Sequence, residues 1–250
     1  MPRYFLEVAY KGTNYSGFQI QDNAGSIQEE VEKALTILFR KKFELTGSSR
    51  TDTGVHALQN FFHLDSEELI NPKALYNINA LLPGDIALRN LLPVAPGAHC
   101  RFDAISREYR YSLYREKNPF LADRAWFYPY TLDREKLDRA AELVGQHKDF
   151  TAFSKRNTQV KTFLCAIQES GWKEENDCLV YRVVANRFLR GMVRGLVGTM
   201  LQVGRGRISL SQFGEILQSK DNRQTDFSAP GHGLFLFRVN FPVSTFEGAA

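Results

Sequence analysis

The sequence predicts an α+β fold built from two ferredoxin-like β-α-β-β-α-β halves, residues 1–105 and 106–250. Three observations predict it. Apolar residues alternate with period two at Tyr4–Tyr10 and again at Arg107–Arg115, the signature of strands opening each half. Capping residues followed by apolar stripes at helical spacing begin at Ser26 and at Asp133. The order of elements then repeats once an additional helix near the C-terminus is set aside.

In chain order, Tyr4, Leu6, Val8 and Tyr10 share one strand face. Residues 11–22 form a polar, glycine-containing loop. Ser26-Ile27-Gln28-Glu29 has the form of a capping box. Ile27, Val31, Ala34, Leu35 and Leu38 follow at helical spacing, and that helix ends near Arg40. A short strand at 43–46 leads into the loop 47–57, and a second strand, 58–65, places Leu58, Phe62 and Leu64 on one face. Asn71-Pro72 opens a helix to about residue 81, with proline at the first helical position, where its missing N–H matters least. Pro83-Gly84 ends it, 86–92 is a strand, and 93–97 is a connection.

In the second half, Tyr109, Tyr111 and Leu113 line one face of a strand at 107–115. Asp133 caps a helix with Leu137, Ala140, Ala141 and Val144 inward. Strands at 161–169 and 179–185 flank a polar turn. Helices at 188–203 and 210–218 and a strand at 233–239 complete the chain.

With 43% hydrophobic and 24% charged residues, 250 residues suffice for one or two domains with a real core. Cys100, Cys165 and Cys178 are odd in number and lack a C-x-x-C pair, which argues against both a disulfide framework and a zinc site. Arg3 and Glu7 interrupt the N-terminal apolar run, so no signal peptide is expected. No stretch approaches the roughly 18 apolar residues that span a bilayer. A soluble, cytoplasmic protein without membrane contact is expected. The net charge is only +4, yet no acidic residue lies between Asp177 and Glu215, where Arg182, Arg187, Arg190, Arg194, Arg205 and Arg207 fall. Such a run suits phosphate contact as well as a solvated basic face.

The loop Gly47-Ser48-Ser49-Arg50-Thr51-Asp52-Thr53-Gly54-Val55-His56-Ala57 carries one carboxylate among hydroxyls. Read by residue type alone, it is a turn whose Asp and Thr side chains bond their own backbone, or a reactive loop on a rigid scaffold. Its letters from Ser49 to Ala57 resemble the active-site loop of the tRNA pseudouridine synthase A family, usually G-R-T-D-x-G-V-H-A; Ser49 stands where glycine is usual, and Thr53 where alanine is common. Tyr10-Lys11-Gly12-Thr13-Asn14-Tyr15-Ser16-Gly17-Phe18-Gln19-Ile20-Gln21 resembles the family's opening motif, Y-D-G-x-x-Y-x-G-W/F-Q-x-Q, with Lys11 in place of Asp. His99–Ala104 with Arg107-Glu108-Tyr109-Arg110-Tyr111, Asn186–Gly198, and Ala229-Pro230-Gly231-His232-Gly233-Leu234 are similar to three further family regions.

The resemblance implies a pseudouridine synthase fold, two α/β halves flanking a central basic catalytic cleft. It implies isomerisation of uridine to pseudouridine at positions 38, 39 and 40 in the anticodon stem-loop of tRNA. The catalytic residue, in the nucleophile's place, is then Asp52, and Arg194 of the M-V-R run pairs with it. Arg50 aids base flipping or holds a flanking phosphate, and Tyr109 lies against the target base. Arg187 and Arg190 join the substrate-binding set, as does Leu234, which packs near the base or belongs to the core. The family acts as a homodimer on tRNA. Because the isomerisation oxidises and hydrolyses nothing, no cofactor and no metal are expected.

Gly191, Gly195 and Gly198 fall on one helical face at i, i+4 and i+7. Each costs a helix roughly 1 kcal/mol against alanine, so a close approach, most simply to the sheet, is expected there. Two rival readings are weaker. An RNA-binding module without chemistry lacks its usual basic-Gly-aromatic strand motif. A metal-dependent phosphodiesterase built on Asp52, His56 and His63 lacks clustered acids.

Overall fold

The computed structural model describes residues 1–22, 24–155 and 160–246. The chain divides into two compact units, Met1–Ile105 with Leu236–Ala250, and Ser106–Phe235. The expected second half therefore gives its C-terminal segment to the first unit.

In the first unit the elements are β1 (Arg3–Tyr10), α1 (Ile27–Phe39), β2 (Thr46–Gly47), β3 (His56–Asp65), α2 (Ala74–Leu81) and β4 (Ile86–Val94), the expected β-α-β-β-α-β order. Their sheet runs β4-β1-β3, with β2 on β3 and β9 (Leu234–Asn240) beside β3. β1 is antiparallel to both β3 and β4. Phe5 and Glu7 are buried along with Leu6 and Val8, so β1 is covered on both faces rather than one. Ser26 Oγ accepts the Glu29 N–H at 3.2 Å, and Arg40, at φ 55°, ends α1 in the left-handed region.

Several boundaries moved. The strand expected at 43–46 shrinks to Thr46–Gly47, although Phe43 and Leu45 are buried. Leu58 is exposed rather than sharing a face with Phe62 and Leu64. The register explains it: Val8 pairs Asn60 but Tyr10 pairs Ala57, so β3 carries an extra residue and its alternation reverses there. Asn71 and Pro72 form a turn before α2, their carbonyls accepting the Ala74 and Leu75 N–H groups, so proline precedes the helix. β4 continues through Pro93 and Val94; a proline is tolerated on such an edge strand.

The second unit contains β5 (Ser106–Tyr114), β6 (Trp126–Phe127), α3 (Arg134–Gln146), β7 (Ile167–Glu175), β8 (Cys178–Ala185), α4 (Met192–Gly204) and α5 (Leu210–Gln218). Its strands run β5-β8-β7, both pairs antiparallel. Asp133 accepts the Lys136 N–H, and Leu137, Ala140, Ala141 and Val144 are buried as expected. β7 begins and ends six residues later than expected. At the end of the strand order it exposes Glu169, Lys173 and Glu174 while burying Trp172, and Asn176-Asp177, at φ 50° and 63°, close a two-residue hairpin to β8.

α4 begins at Met192, not 188, because Gly191 adopts φ 74° and sits outside it as the N-cap. Arg190 and Arg194 are therefore not neighbours on one helix. The close approach is real but has another partner: a methyl on Gly198 would lie 2.2 Å from the Asp226 carbonyl oxygen, and one on Gly195 2.8 Å from the Phe227 ring. Segment 225–227, not the sheet, lies against this glycine face of α4. Among the described residues no helix is long and apolar enough to cross a membrane.

Candidate active site

The loop between β2 and β3 is held from behind by the opening motif. The Phe18 N–H donates to the Thr51 carbonyl at 3.1 Å, and the Tyr10 hydroxyl pairs with Thr51 Oγ1 at 2.8 Å. Asn60 Nδ2 donates to the Ser49 carbonyl at 2.8 Å and to the Tyr10 hydroxyl at 3.2 Å. The Ser48 N–H donates to the Phe61 carbonyl at 2.8 Å. Burial raises the pKa of Tyr10, which keeps its proton for this network.

Ser48, Ser49 and Thr51 are thus buried and tied down, while Arg50 and Thr53 are exposed and Asp52 is half-buried. The loop turns at Asp52, whose carbonyl accepts the Val55 N–H at 3.1 Å across Gly54 at φ 75°. Asp52 is therefore both a turn former and a carboxylate on an anchored backbone. A shortage of space secures the same loop. A methyl on Gly12 would lie 2.0 Å from the Val55 carbonyl oxygen, and one on Gly17 2.9 Å from that of Thr51. The sequence assigned Tyr10, Gly12, Gly17 and Asn60 no role; the Y-x-G spacing was visible, its partner loop was not.

Of the departures from the family pattern, Ser49 takes part in the anchoring through its carbonyl, whereas Lys11 and Thr53 lie away from those contacts. Lys11 is exposed, its N–H donating to the Asp85 carbonyl, and Thr53 is exposed. Arg50, although its side chain reaches solvent, has its pKa lowered by desolvation against the protein and, secondarily, by the charge of Arg101. His56 and His63 serve structure: His56 Nδ1 accepts the Gly12 N–H at 3.0 Å, and His63 Nδ1 lies 3.2 Å from Cys100 Sγ.

The remaining expected site residues belong to the second unit. Tyr109, on β5 opposite Val183, is buried and meets Phe188 edge-on at 5.0 Å, a ring to which the sequence reading gave no role. Arg194, in the first turn of α4, is half-buried, and its Nε donates to the Ala229 carbonyl at 2.6 Å. The next carbonyl, Pro230, accepts the Tyr111 hydroxyl at 2.9 Å, and a methyl on Gly233 would collide with the Tyr111 ring at 2.6 Å. Burial raises Tyr111, and the nearby Arg194 charge opposes that rise. The A-P-G-H-G-L segment is thus fastened by Arg194 and Tyr111 before it enters β9. Leu234 is buried, Arg187 is half-buried and Arg190 exposed.

The basic run is less uniform than its letters. Arg182 is ion-paired with Glu108 and Glu169, Arg205 stacks on the Tyr130 ring at 3.7 Å, and Arg207 donates to Gln202. Arg182 in particular is spent on its own sheet rather than on phosphate.

A family model described as tRNA pseudouridine synthase matches residues 7–103 and 140–242. The tRNA pseudouridine synthase A of Parabacteroides distasonis is 44% identical over 248 residues, covering 98% of both chains. That of Bacteroides thetaiotaomicron is 41% identical over 251 residues, covering 99% of this chain and 93% of its own. That of Staphylococcus aureus (strain N315) is 37% identical over 241 residues, covering 95% and 90% respectively.

Proposed function

The chain belongs to the tRNA pseudouridine synthase family and is an isomerase of tRNA uridines, and we propose that it acts at positions 38, 39 and 40 of the anticodon stem-loop with Asp52 as its catalytic carboxylate. The observation that carries the reading is the Asp52 loop, whose family letters coincide with a backbone anchored on both sides of the acid. Preorganisation of this kind is what a reaction without a cofactor requires from its protein.

Pseudouridine formation breaks the N1–C1′ bond, turns the uracil and joins C5 to C1′; C5 then loses its proton and N1 gains one, so product and substrate have the same atoms. The target base must first leave its stack, at a cost of a few kcal/mol. Asp52 acts either as a nucleophile toward sugar or base or as the base for a ribose proton. Arg50, exposed beside it, holds the vacated space or the flanking phosphate. Tyr109 is proposed to hold the uracil, with Arg187, Arg190 and Leu234 completing the substrate contacts. Arg194 is proposed as the partner of Asp52 on the strength of the Met192-Val193-Arg194 match. We further propose a cytoplasmic homodimer.

The test is purified protein incubated with an unmodified tRNA transcript in chelator, with pseudouridine read position by position. Product at 38–40 is expected, and Asp52→Asn should abolish it while tRNA affinity stays within about threefold, because the amide keeps the shape but is neither nucleophile nor base. An Asp52→Asn enzyme that keeps a substantial rate removes Asp52 from the chemistry.

A further inference from the structure

One exposed feature of the first unit has no part in this chemistry. Residues 99–103 form a turn locked from within. Asp103 Oδ2 accepts the His99 N–H at 2.7 Å, and the His99 carbonyl accepts the Phe102 and Asp103 N–H groups at 3.1 and 3.0 Å. The Arg101 N–H donates to His99 Nδ1 at 3.2 Å. Beneath the turn, Cys100 is fully buried and its Sγ donates to the Thr46 carbonyl at 3.1 Å, at the strand that leads into the Asp52 loop.

With Cys100 as the anchor, Arg101 and Phe102 project outward side by side. Phe102 is 73% exposed. The His99 ring backs it at 4.2 Å, and the Arg101 guanidinium lies 5.7 Å from its centroid. Arg101 is also near enough to Arg50 for its charge to act there. A lone exposed apolar side chain needs no explanation. Here, however, the ring stands on a backbone that has little left to lose in ordering, beside the Arg101 guanidinium.

We infer that Phe102 and Arg101 form a platform on which an unpaired tRNA base next to the target uridine stacks, with Arg101 at its phosphate. The inference rests on the proposed function, since it requires an RNA substrate whose target base has been extruded. Every base offers a π-face and every nucleotide a negative charge, so a ring beside a cation accepts them without choosing a sequence. A second copy of this chain would bring like charges together at the same spot, which disfavours self-association as the use of this ring. Phe102 is then a substrate-binding residue.

The experiment compares wild type, Phe102→Leu and Phe102→Trp in the full chain, using one unmodified tRNA transcript. Phe102→Leu should weaken tRNA binding by about tenfold, as expected for one lost base stack. The loss should fall on KM rather than kcat, and Phe102→Trp should restore it. Arg101→Gln should reduce the slope of log affinity against log salt by about one. Wild-type affinity in Phe102→Leu overturns the platform, as does failure of tryptophan to rescue. So does a shift in sedimentation with unchanged tRNA affinity, which would assign the ring to a protein contact. If the wild type binds the transcript but makes no pseudouridine, the proposed function fails instead, and the binding comparison separates the two.

Discussion

Gly12→Ala should cripple catalysis from a residue that touches no substrate. The added methyl would lie 2.0 Å from the Val55 carbonyl oxygen and 2.8 Å from its carbon, where ordinary contact begins at 3.4 Å, so one side must retreat by about 1.4 Å. Neither side is a flexible side-chain end: Val55 closes the turn that begins at Asp52, and Gly12 also donates its N–H to His56 Nδ1. Overpacking of this kind costs about 1–3 kcal/mol, which for a chain of this size lowers Tm by several degrees. The larger effect falls on rate, since a displacement near 1 Å in a reactive group can lose about 100-fold. The assay is single-turnover pseudouridine formation at saturating tRNA, with a melting curve to show that the variant is folded. Gly84→Ala is the control, because nothing lies within 4 Å of its added methyl. A folded Gly12→Ala enzyme within about threefold of the wild-type rate would refute the idea that this glycine sets the Asp52 loop.

Three further predictions concern stability, assembly and tRNA binding. Burial, with the charges of His99 and Arg3, lowers the pKa of His63 from 6.5 to about 4 against the weaker opposing pull of Asp65 and Asp103. The unfolded chain therefore binds a proton that the folded one refuses; the stability from this site is full above pH 6.5 and is lost as pH falls toward 4. His63→Gln should flatten the decline of Tm between pH 7 and pH 4, and an unchanged decline would remove His63 as its source. Sedimentation should show a dimer, and tRNA binding should weaken steeply with salt because phosphate contacts release counterions; a fully active monomer would refute the dimer.

Much of this protein is local and was legible in its letters. Ser26 and Asp133 begin their helices, Arg40 ends one, and the stripe Leu137-Ala140-Ala141-Val144 faces inward, because caps and stripes act within a few residues. The loop letters from Ser49 to Ala57 marked the acid for the same reason: their meaning lies in their own spacing. Tertiary structure decided what depends on residues distant in sequence. The extra residue in β3 that turns Leu58 outward exists only through pairing with β1. Gly195 and Gly198 admit segment 225–227 rather than a sheet, and Arg182 is consumed by Glu108 from 74 residues away. Tyr10 and Asn60, with Gly12 and Gly17, hold the Asp52 loop through contacts that no periodicity encodes. Periodicity reports which face of an element is apolar. It does not say which other element closes against that face, because packing selects the partner among surfaces that look alike in one dimension.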